Sequence, residues 1–225
     1  MPAGLSLNLV IILAALCCLY GLVRAEKNPR PLEVLNFKVP CSLLFVALAL
    51  AQAWPQPLYA RLVLAGLGLG LLGDTALALP GRPYFLAGLA AFLLGHLAYV
   101  AAFGCLIAPA VWSSPGLWLG LVPLALAGAA VFWWLRPRLG PMKKPVAAYV
   151  VVISLMVLAA WGAFQSGLPP VGRVVVLVGA VLFYLSDLAV ARDRFVAPGW
   201  PNRAVGLPLY YAAQFLLAWS VGLVG

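Results

Sequence analysis

The run LYARLVLAGLGLGLLGDTALAL, residues 58–79, is long and apolar enough to cross a bilayer as one helix. A second run, VVVLVGAVLFYLSDLAVA, residues 174–191, has the same character. Each run contains one aspartate, Asp74 in the first and Asp187 in the second. A carboxylate inside a membrane helix costs about 2.5–3.5 kcal/mol on insertion scales, and such residues are usually functional and face the bundle interior. The two aspartates are therefore the first candidates for chemistry.

The composition of the whole chain extends this interpretation from two segments to all 225 residues. Hydrophobic residues make up 65% and charged residues 8%, whereas soluble domains average about 45–50% apolar and about 25% charged residues. No stretch is long and polar enough to form a separate soluble domain. We therefore predict a single membrane domain over residues 1–225.

Prolines, glycines and charged residues divide the chain into eight apolar spans. The predicted spans are residues 5–22, 38–54, 58–79, 84–107, 116–135, 144–165, 172–191 and 204–223. The predicted fold class is thus all-α, a polytopic membrane protein with a bundle of eight transmembrane helices.

The basic residues predict the orientation of this bundle. Twelve of the 14 Lys and Arg residues fall in the first, third, fifth and seventh connections, and only Arg61 and Arg173 fall in the others. Lys and Arg remain on the cytoplasmic side, so both termini are predicted to be extracytoplasmic. The net charge of +9 is then a topology signal, and no nucleic acid partner is expected. The Ala-, Gly-, Leu- and Pro-rich composition favours the inner (cytoplasmic) membrane of a bacterium.

With this topology, the two aspartates have similar predicted depths. Asp74 lies six residues and Asp187 five residues from the cytoplasmic ends of their spans, roughly 7–9 Å inside the boundary. This matches what a shared site toward the cytoplasmic leaflet requires. Further polar side chains are expected in the same half of the bundle: Lys38 at the start of span two, Tyr149, Tyr184, Tyr210, Tyr211 and Gln214.

His96 is the only histidine, and straight-helix geometry places it roughly 10 Å deeper than the aspartates. This depth argues against direct contact between His96 and either carboxyl. A zinc site usually takes three protein ligands, and the chain has no Cys-x-x-Cys motif. We therefore expect no metal and no other cofactor. The sequence predicts no oligomeric state.

Several short motifs resemble the YhhN-type, lysoplasmalogenase-like membrane family. They are Gly73-Asp74-Thr75-Ala76-Leu77, Phe85-Leu86-Ala87-Gly88, Gly95-His96-Leu97-Ala98-Tyr99, Phe183-Tyr184-Leu185-Ser186-Asp187 and Tyr210-Tyr211-Ala212-Ala213-Gln214, with supporting matches at Lys38 and Tyr149. The resemblance implies an eight-helix ether hydrolase that cleaves the vinyl ether bond of lysoplasmalogens or a related lysolipid. The products would be a fatty aldehyde and a glycerophospho-ethanolamine or glycerophospho-choline.

The chemistry of vinyl ether hydrolysis fits a pair of aspartates. An acid must protonate the carbon β to the oxygen, and an anion must stabilise the resulting oxocarbenium ion and deprotonate water. Two carboxyls in a water-poor site supply both groups, much as they do in glycosidases. We predict Asp74 and Asp187 as the catalytic pair. The predicted residues that bind the lysophospholipid substrate are Lys38, which would hold its phosphate, His96, Tyr149, Tyr184 and Gln214.

A second class of function remains open at this stage. Carboxylates within a membrane also relay protons or bind cations, so the alternative is a proton- or cation-coupled transporter of a small molecule or lipid. An intramembrane aspartyl protease is less favoured, because the motifs around Asp74 and Asp187 stand in the reverse order for that class and match it imperfectly.

Overall fold

The computed structural model describes residues 3–224, and every regular element in this range is helical. Eight of the helices have 20 or more residues, and a short helix and two 3₁₀ turns lie between them. The helices are α1 Ala3–Ala25, α2 Pro31–Leu50, α3 Pro57–Leu77, α4 Arg82–Gly104, α5 Pro109–Trp112, α6 Pro115–Leu135, α7 Lys143–Gln165, α8 Pro170–Phe195 and α9 Trp200–Ser220. The predicted all-α class is confirmed, and the eight long helices are consistent with the predicted eight spans.

Seven of these helices, α1 to α4 and α6 to α8, are long and apolar enough to cross a membrane. The eighth long helix, α9, has 21 residues and covers about 31 Å at 1.5 Å per residue, close to the thickness of a bilayer core. It carries more polar side chains, including Asn202, Arg203 and Gln214, and it packs closely against α8. The chain is therefore a multi-pass membrane protein.

Helix α2 begins at Pro31, seven residues before the predicted start at residue 38. Proline interrupts a helix interior but is favoured in the first turn, where its missing N–H has no intrahelical partner anyway. The predicted start was therefore too late, and the prediction that Lys38 opens the span was wrong. Lys38 lies two turns inside α2, about 10 Å from its beginning.

The connection between α8 and α9 is also shorter than predicted. Helix α8 continues to Phe195, four residues past the predicted end at residue 191, and α9 begins at Trp200, four residues before the predicted start. Arg192 and Arg194 lie in the last turn of α8, where positive side chains interact favourably with the helix dipole. The helix therefore continues through these charged residues, and they do not mark its end.

Seven of the long helices, α2 to α4 and α6 to α9, contribute residues to the lining of a cavity within the bundle. Helix α3 packs closely against α4, and α8 packs closely against α9. Helix α2 contacts both α3 and α9, and α7 contacts both α4 and α8. Helix α6 packs against α7 and presents many large apolar side chains outward, such as Leu119, Leu126 and Trp133. This arrangement brings polar residues from six helices together.

Three glycines of α3 form a stripe that lets neighbouring side chains approach its backbone. A Cβ atom at Gly66 would lie 2.6 Å from the ring of Tyr99, and one at Gly73 would lie 2.7 Å from the ring of Phe92. A Cβ atom at Gly70 would collide with the side-chain amide of Gln214. Small residues that permit close packing are characteristic of membrane helix interfaces.

Candidate active site

Asp74 lies at the centre of a buried polar cluster between α2, α3 and α9. The Lys38 Nζ lies 3.3 Å from its Oδ1. The Ser42 hydroxyl donates to its Oδ2 at 2.6 Å, and the Tyr210 hydroxyl donates to the same oxygen at 2.7 Å. Only 2% of the Asp74 side chain is exposed. Three donors therefore surround this carboxyl, and they come from two neighbouring helices.

Further hydrogen bonds hold these donors in place. The Tyr211 hydroxyl lies 3.1 Å from the Ser42 hydroxyl and donates to the Lys38 carbonyl at 3.2 Å. The Gln214 Nε2 donates to the Tyr210 hydroxyl at 3.1 Å, and the Tyr99 hydroxyl donates to Gln214 Oε1 at 2.7 Å. Gln214, predicted as a substrate-binding residue, thus lies one hydrogen bond behind the residues that touch Asp74.

Asp187 has fewer partners than Asp74. The Tyr149 hydroxyl donates to its Oδ2 at 2.8 Å, and the His96 Nε2 lies 3.6 Å from the same oxygen. The Asp187 side chain is 19% exposed. In the part of the chain that the structure describes, the other carboxyl oxygen, Oδ1, has no side-chain hydrogen-bond partner. Asp187 is therefore the more accessible of the two carboxyls.

His96 lies beside Asp187, so the prediction that its depth keeps it away from the aspartates was wrong. Its ring centroid is 5.2 Å from that of Tyr149 and 4.6 Å from that of Phe183. Depth was measured along straight helices from predicted ends, but α8 continues to Phe195, which places Asp187 deeper. Within residues 3–224, neither ring nitrogen of His96 has a hydrogen-bond partner, and 3.6 Å exceeds the usual N–H···O distance.

One cavity of about 200 Å³ reaches both carboxyls. Its inner wall includes Asp74, Asp187, Lys38, Tyr149, Tyr184 and Tyr210, and apolar residues such as Phe92 and Ile153 line much of the rest. Charged residues from the C-terminal end of α8 and the N-terminal end of α9, among them Asp193, Arg194 and Arg203, also line it, and the part of the cavity that they line is called the mouth. The cavity therefore extends from these charged residues to two carboxyls inside the bundle.

Most of the residues that the sequence predicts for the site line this cavity. Lys38, Tyr149 and Tyr184 line it directly, and His96 and Gln214 contact residues that do. The Tyr184 hydroxyl is buried without a hydrogen-bond partner among the described residues. Lys38, predicted to hold the substrate phosphate, forms an ion pair with Asp74.

Four members of the cluster were absent from the predicted site residues: Tyr210 and Tyr211, which were expected only in the same half of the bundle, and Ser42 and Tyr99, which were not singled out for the site. Ser42 and Tyr99 had a signal in the sequence, because Ser42 lies one helical turn after Lys38, and Tyr99 lies three residues after His96. Residues three or four apart share a helix face.

For metal ligands, no group of three or more His, Cys, Asp or Glu side chains close enough to bind an ion occurs in the described part of the chain.

Comparisons with known proteins agree with this architecture. The chain matches the model of the YhhN family over residues 35–221, a range that includes every site residue named above. It is 29% identical over 182 residues to the uncharacterized membrane protein YhhN of Escherichia coli O157:H7, covering 79% of this chain and 84% of that protein. No solved structure matches the chain.

Two further relatives carry the name of an enzyme. The chain is 32% identical over 223 residues to the lysoplasmalogenase TMEM86A of Bos taurus, covering 95% of this chain and 88% of that protein. It is 33% identical over 187 residues to the lysoplasmalogenase of Mycobacterium bovis, covering 80% of this chain and 67% of that protein. With the family match extending over most of its length, the chain belongs to the YhhN family.

Proposed function

We propose that this protein is a lysoplasmalogenase, a membrane hydrolase that cleaves the vinyl ether bond of a lysoplasmalogen or a related lysolipid. The observation that carries the proposal is one largely apolar cavity whose lining includes both Asp74 and Asp187 and, at its mouth, several charged side chains. The names of the relatives in cattle and mycobacteria support the same reaction. A lysophospholipid suits this cavity, because it has one hydrocarbon chain and one charged head group.

The reaction requires one proton donor and one anion. The donor protonates the carbon β to the ether oxygen, and the π bond electrons form the new C–H bond, which leaves an oxocarbenium ion. Water then adds to the cationic carbon and loses a proton, giving a hemiacetal. The hemiacetal then collapses to a fatty aldehyde as its C–O bond to glycerol breaks, and its hydroxyl proton moves to the departing glycerol oxygen, giving the free alcohol of the glycerophospho-base. The proton that the anion took from water passes back to the donor, so the site regains its initial protonation with no net consumption of protons.

The hydrogen bonds favour one division of roles. Asp74 accepts from Lys38, Ser42 and Tyr210, as a carboxylate does. It is therefore assigned as the anion that stabilises the oxocarbenium ion and takes the proton from water. Among the described residues, Asp187 has a single hydroxyl donor, which binds Oδ2 and leaves Oδ1 for the proton that is transferred. Positioned general acids typically contribute about 10²–10⁴-fold to a rate.

The decisive experiment replaces each carboxyl in turn. Purified Asp74→Asn and Asp187→Asn are assayed for aldehyde release from 1-alkenyl-glycerophosphoethanolamine in detergent micelles. Each variant should lose activity by about 10²–10⁴-fold, the contribution of a positioned acid or base. Glu33→Gln is the matched control, because Glu33 is exposed in the first turn of α2, away from the cavity. Full activity in both aspartate variants would rule out the pair as the catalytic groups.

A transport assay addresses the alternative function with the same protein. The wild type is reconstituted in liposomes and tested for proton-coupled uptake or counterflow of lysolipids. Uptake without any aldehyde release would favour a transporter over a hydrolase. Aldehyde release from detergent-solubilised protein, where no gradient exists, would favour the hydrolase.

The proposed location is the inner membrane of a bacterium, with the cavity mouth in the cytoplasmic leaflet. The basic residues that cluster at the mouth end of the helices support this orientation. Cys105 follows the opposite end of α4 and is exposed. In a variant that keeps only this cysteine, a thiol reagent that cannot cross membranes should label Cys105 from outside intact spheroplasts. Labelling only after lysis would reverse the orientation.

A further inference from the structure

The mouth of the cavity contains a fixed charge network centred on Arg203. Its Nη1 lies 3.2 Å from Glu26 Oε2, and its Nε lies 3.2 Å from Asp193 Oδ2. Asn202 donates to Asp193 Oδ1 at 3.1 Å, and the backbone N–H of Gly199 donates to the same oxygen at 2.8 Å. The positive charge of Arg203 is therefore compensated by two carboxylates of the protein itself.

Arg194 lies at the same mouth and is not compensated. In the described residues, no carboxylate oxygen lies within 4.0 Å of its guanidinium group, which rests over the ring of Phe85 at 4.1 Å. Both Arg194 and Phe85 line the cavity. The aromatic ring holds the planar group by a cation–π contact and leaves its N–H donors without an acidic partner. Three basic residues line the cavity in the described part of the chain, and the other two, Lys38 and Arg203, are paired with carboxylates.

The position of Arg194 along α8 suits the length of a lysolipid. Arg194 follows Asp187 by seven residues on one helix, so the two Cα atoms are about 10.5 Å apart along the axis and on nearly the same face. Seven bonds separate the phosphorus from the β carbon of a vinyl ether at the first glycerol position. An extended chain advances about 3.3–3.6 Å for every three bonds, which gives roughly 8 Å.

From this match we propose that Arg194 binds the phosphate of the lysophospholipid head group while the vinyl ether reaches Asp187. The guanidinium fork binds a phosphate through two parallel hydrogen bonds. This assignment rests on the proposed function for the identity of the reacting bond, but the phosphate site itself does not depend on it. It also replaces Lys38, the predicted phosphate ligand, with a residue that has no competing carboxylate.

The kinetic test compares two substrates that differ only in the phosphoethanolamine head group. Arg194→Gln should raise the KM for 1-alkenyl-glycerophosphoethanolamine by about tenfold, as expected for a charge-assisted hydrogen bond in a partly exposed site. Its kcat should change little, and hydrolysis of 1-alkenylglycerol, which lacks phosphate, should be unaffected. Arg82→Gln is the control, because Arg82 is exposed at the same end of the bundle but does not line the cavity. An unchanged KM in Arg194→Gln would overturn the assignment.

A binding test separates this proposal from the proposed function. A saturated 1-alkyl-glycerophosphoethanolamine has no vinyl bond to protonate, so its binding to the wild type and Arg194→Gln can be measured by native mass spectrometry in detergent. The variant should bind it at least about tenfold more weakly, and 1-alkylglycerol equally well. Arg194→Lys, which keeps the charge without the fork, should fall between the two and guards against misfolding of the glutamine variant.

The outcomes of the two tests are distinct. Phosphate-dependent binding that is lost in Arg194→Gln, without aldehyde release by the wild type, would retain the head-group site and refute the hydrolase. Aldehyde release with equal binding by the wild type and Arg194→Gln would retain the hydrolase and refute the site. Equal inhibition of both proteins by free glycerophosphate would also refute it, because a phosphate that uses Arg194 must bind the variant less well.

Discussion

Asp74 and Asp187 line the same cavity but are held in opposite ways. Around Asp74, a lysine, a serine and a tyrosine all approach the carboxyl within 3.3 Å. Within residues 3–224, Asp187 has one close donor, Tyr149, and a histidine at a longer distance. The first carboxyl is almost completely buried, whereas the second is open to the cavity. Asp74 is thus held in place by several buried hydrogen-bond partners, whereas Asp187 is accessible from the cavity.

This difference explains how two carboxyls in one apolar site can act differently. A buried charge persists only when opposite charge and hydrogen bonds compensate it, and the Asp74 cluster provides both. A group that must deliver a proton needs a free oxygen and access to the substrate. Changes around Asp74 should therefore reduce stability the most. Changes around Asp187 should reduce stability less and reduce activity more than stability.

The largest effect on stability is expected from Lys38→Met. This change leaves Asp74 as an unpaired buried charge, and breaking a buried pair in this way typically costs about 3–5 kcal/mol. The measurement is thermal unfolding in detergent, followed by circular dichroism.

The double variant Lys38→Met with Asp74→Asn provides the control for that prediction. It removes both charges, so it should recover most of the lost stability while remaining inactive. If the double variant is as unstable as Lys38→Met alone, the ion pair is not the reason for the loss.

An intermediate effect is expected from Gly70→Ala. The new Cβ atom would collide with the Gln214 amide and approach the Tyr210 hydroxyl to 3.2 Å, which disturbs the hydrogen bond that orients Tyr210 toward Asp74. Overpacking of this kind costs about 1–3 kcal/mol, and aldehyde release should fall with it.

Gly68→Ala is the matched control on the same helix, because a Cβ atom at Gly68 has nothing within 4 Å. This variant should keep both its melting temperature and its activity. A similar loss in Gly68→Ala would mean that the helix tolerates no alanine, whatever the local contacts.

The smallest effect on stability is expected from Tyr149→Phe on the Asp187 side. It removes one hydrogen bond, worth about 0.5–1.5 kcal/mol. Its effect on activity should be larger than that on stability, because Tyr149 is the only close donor to Asp187 among the described residues. Tyr184→Phe on α8 should leave the melting temperature unchanged, since its hydroxyl has no partner there. Equal destabilisation by the two changes would contradict this comparison.

Local sequence signals predicted the helical class and the number of long helices well. The ends of helices were predicted less well where a proline could either begin or end a helix, or where a charged residue could belong either to a helix end or to a loop. Pro31 begins a helix, although proline also ends helices, and Arg192 and Arg194 belong to the last turn of α8, although charges also mark loops. Each error changed the depth assigned to one site residue, Lys38 in the first case and Asp187 in the second.

The sequence by itself determined that this protein is a bundle of membrane helices with two acidic groups inside it, because hydrophobic length and the cost of a buried carboxyl are local properties. Only the tertiary structure decided the partner of each carboxyl. The rotation and mutual approach of the helices bring Lys38 to Asp74 and His96 to Asp187. Those contacts depend on packing between segments far apart in the chain, and no pattern within one segment encodes them.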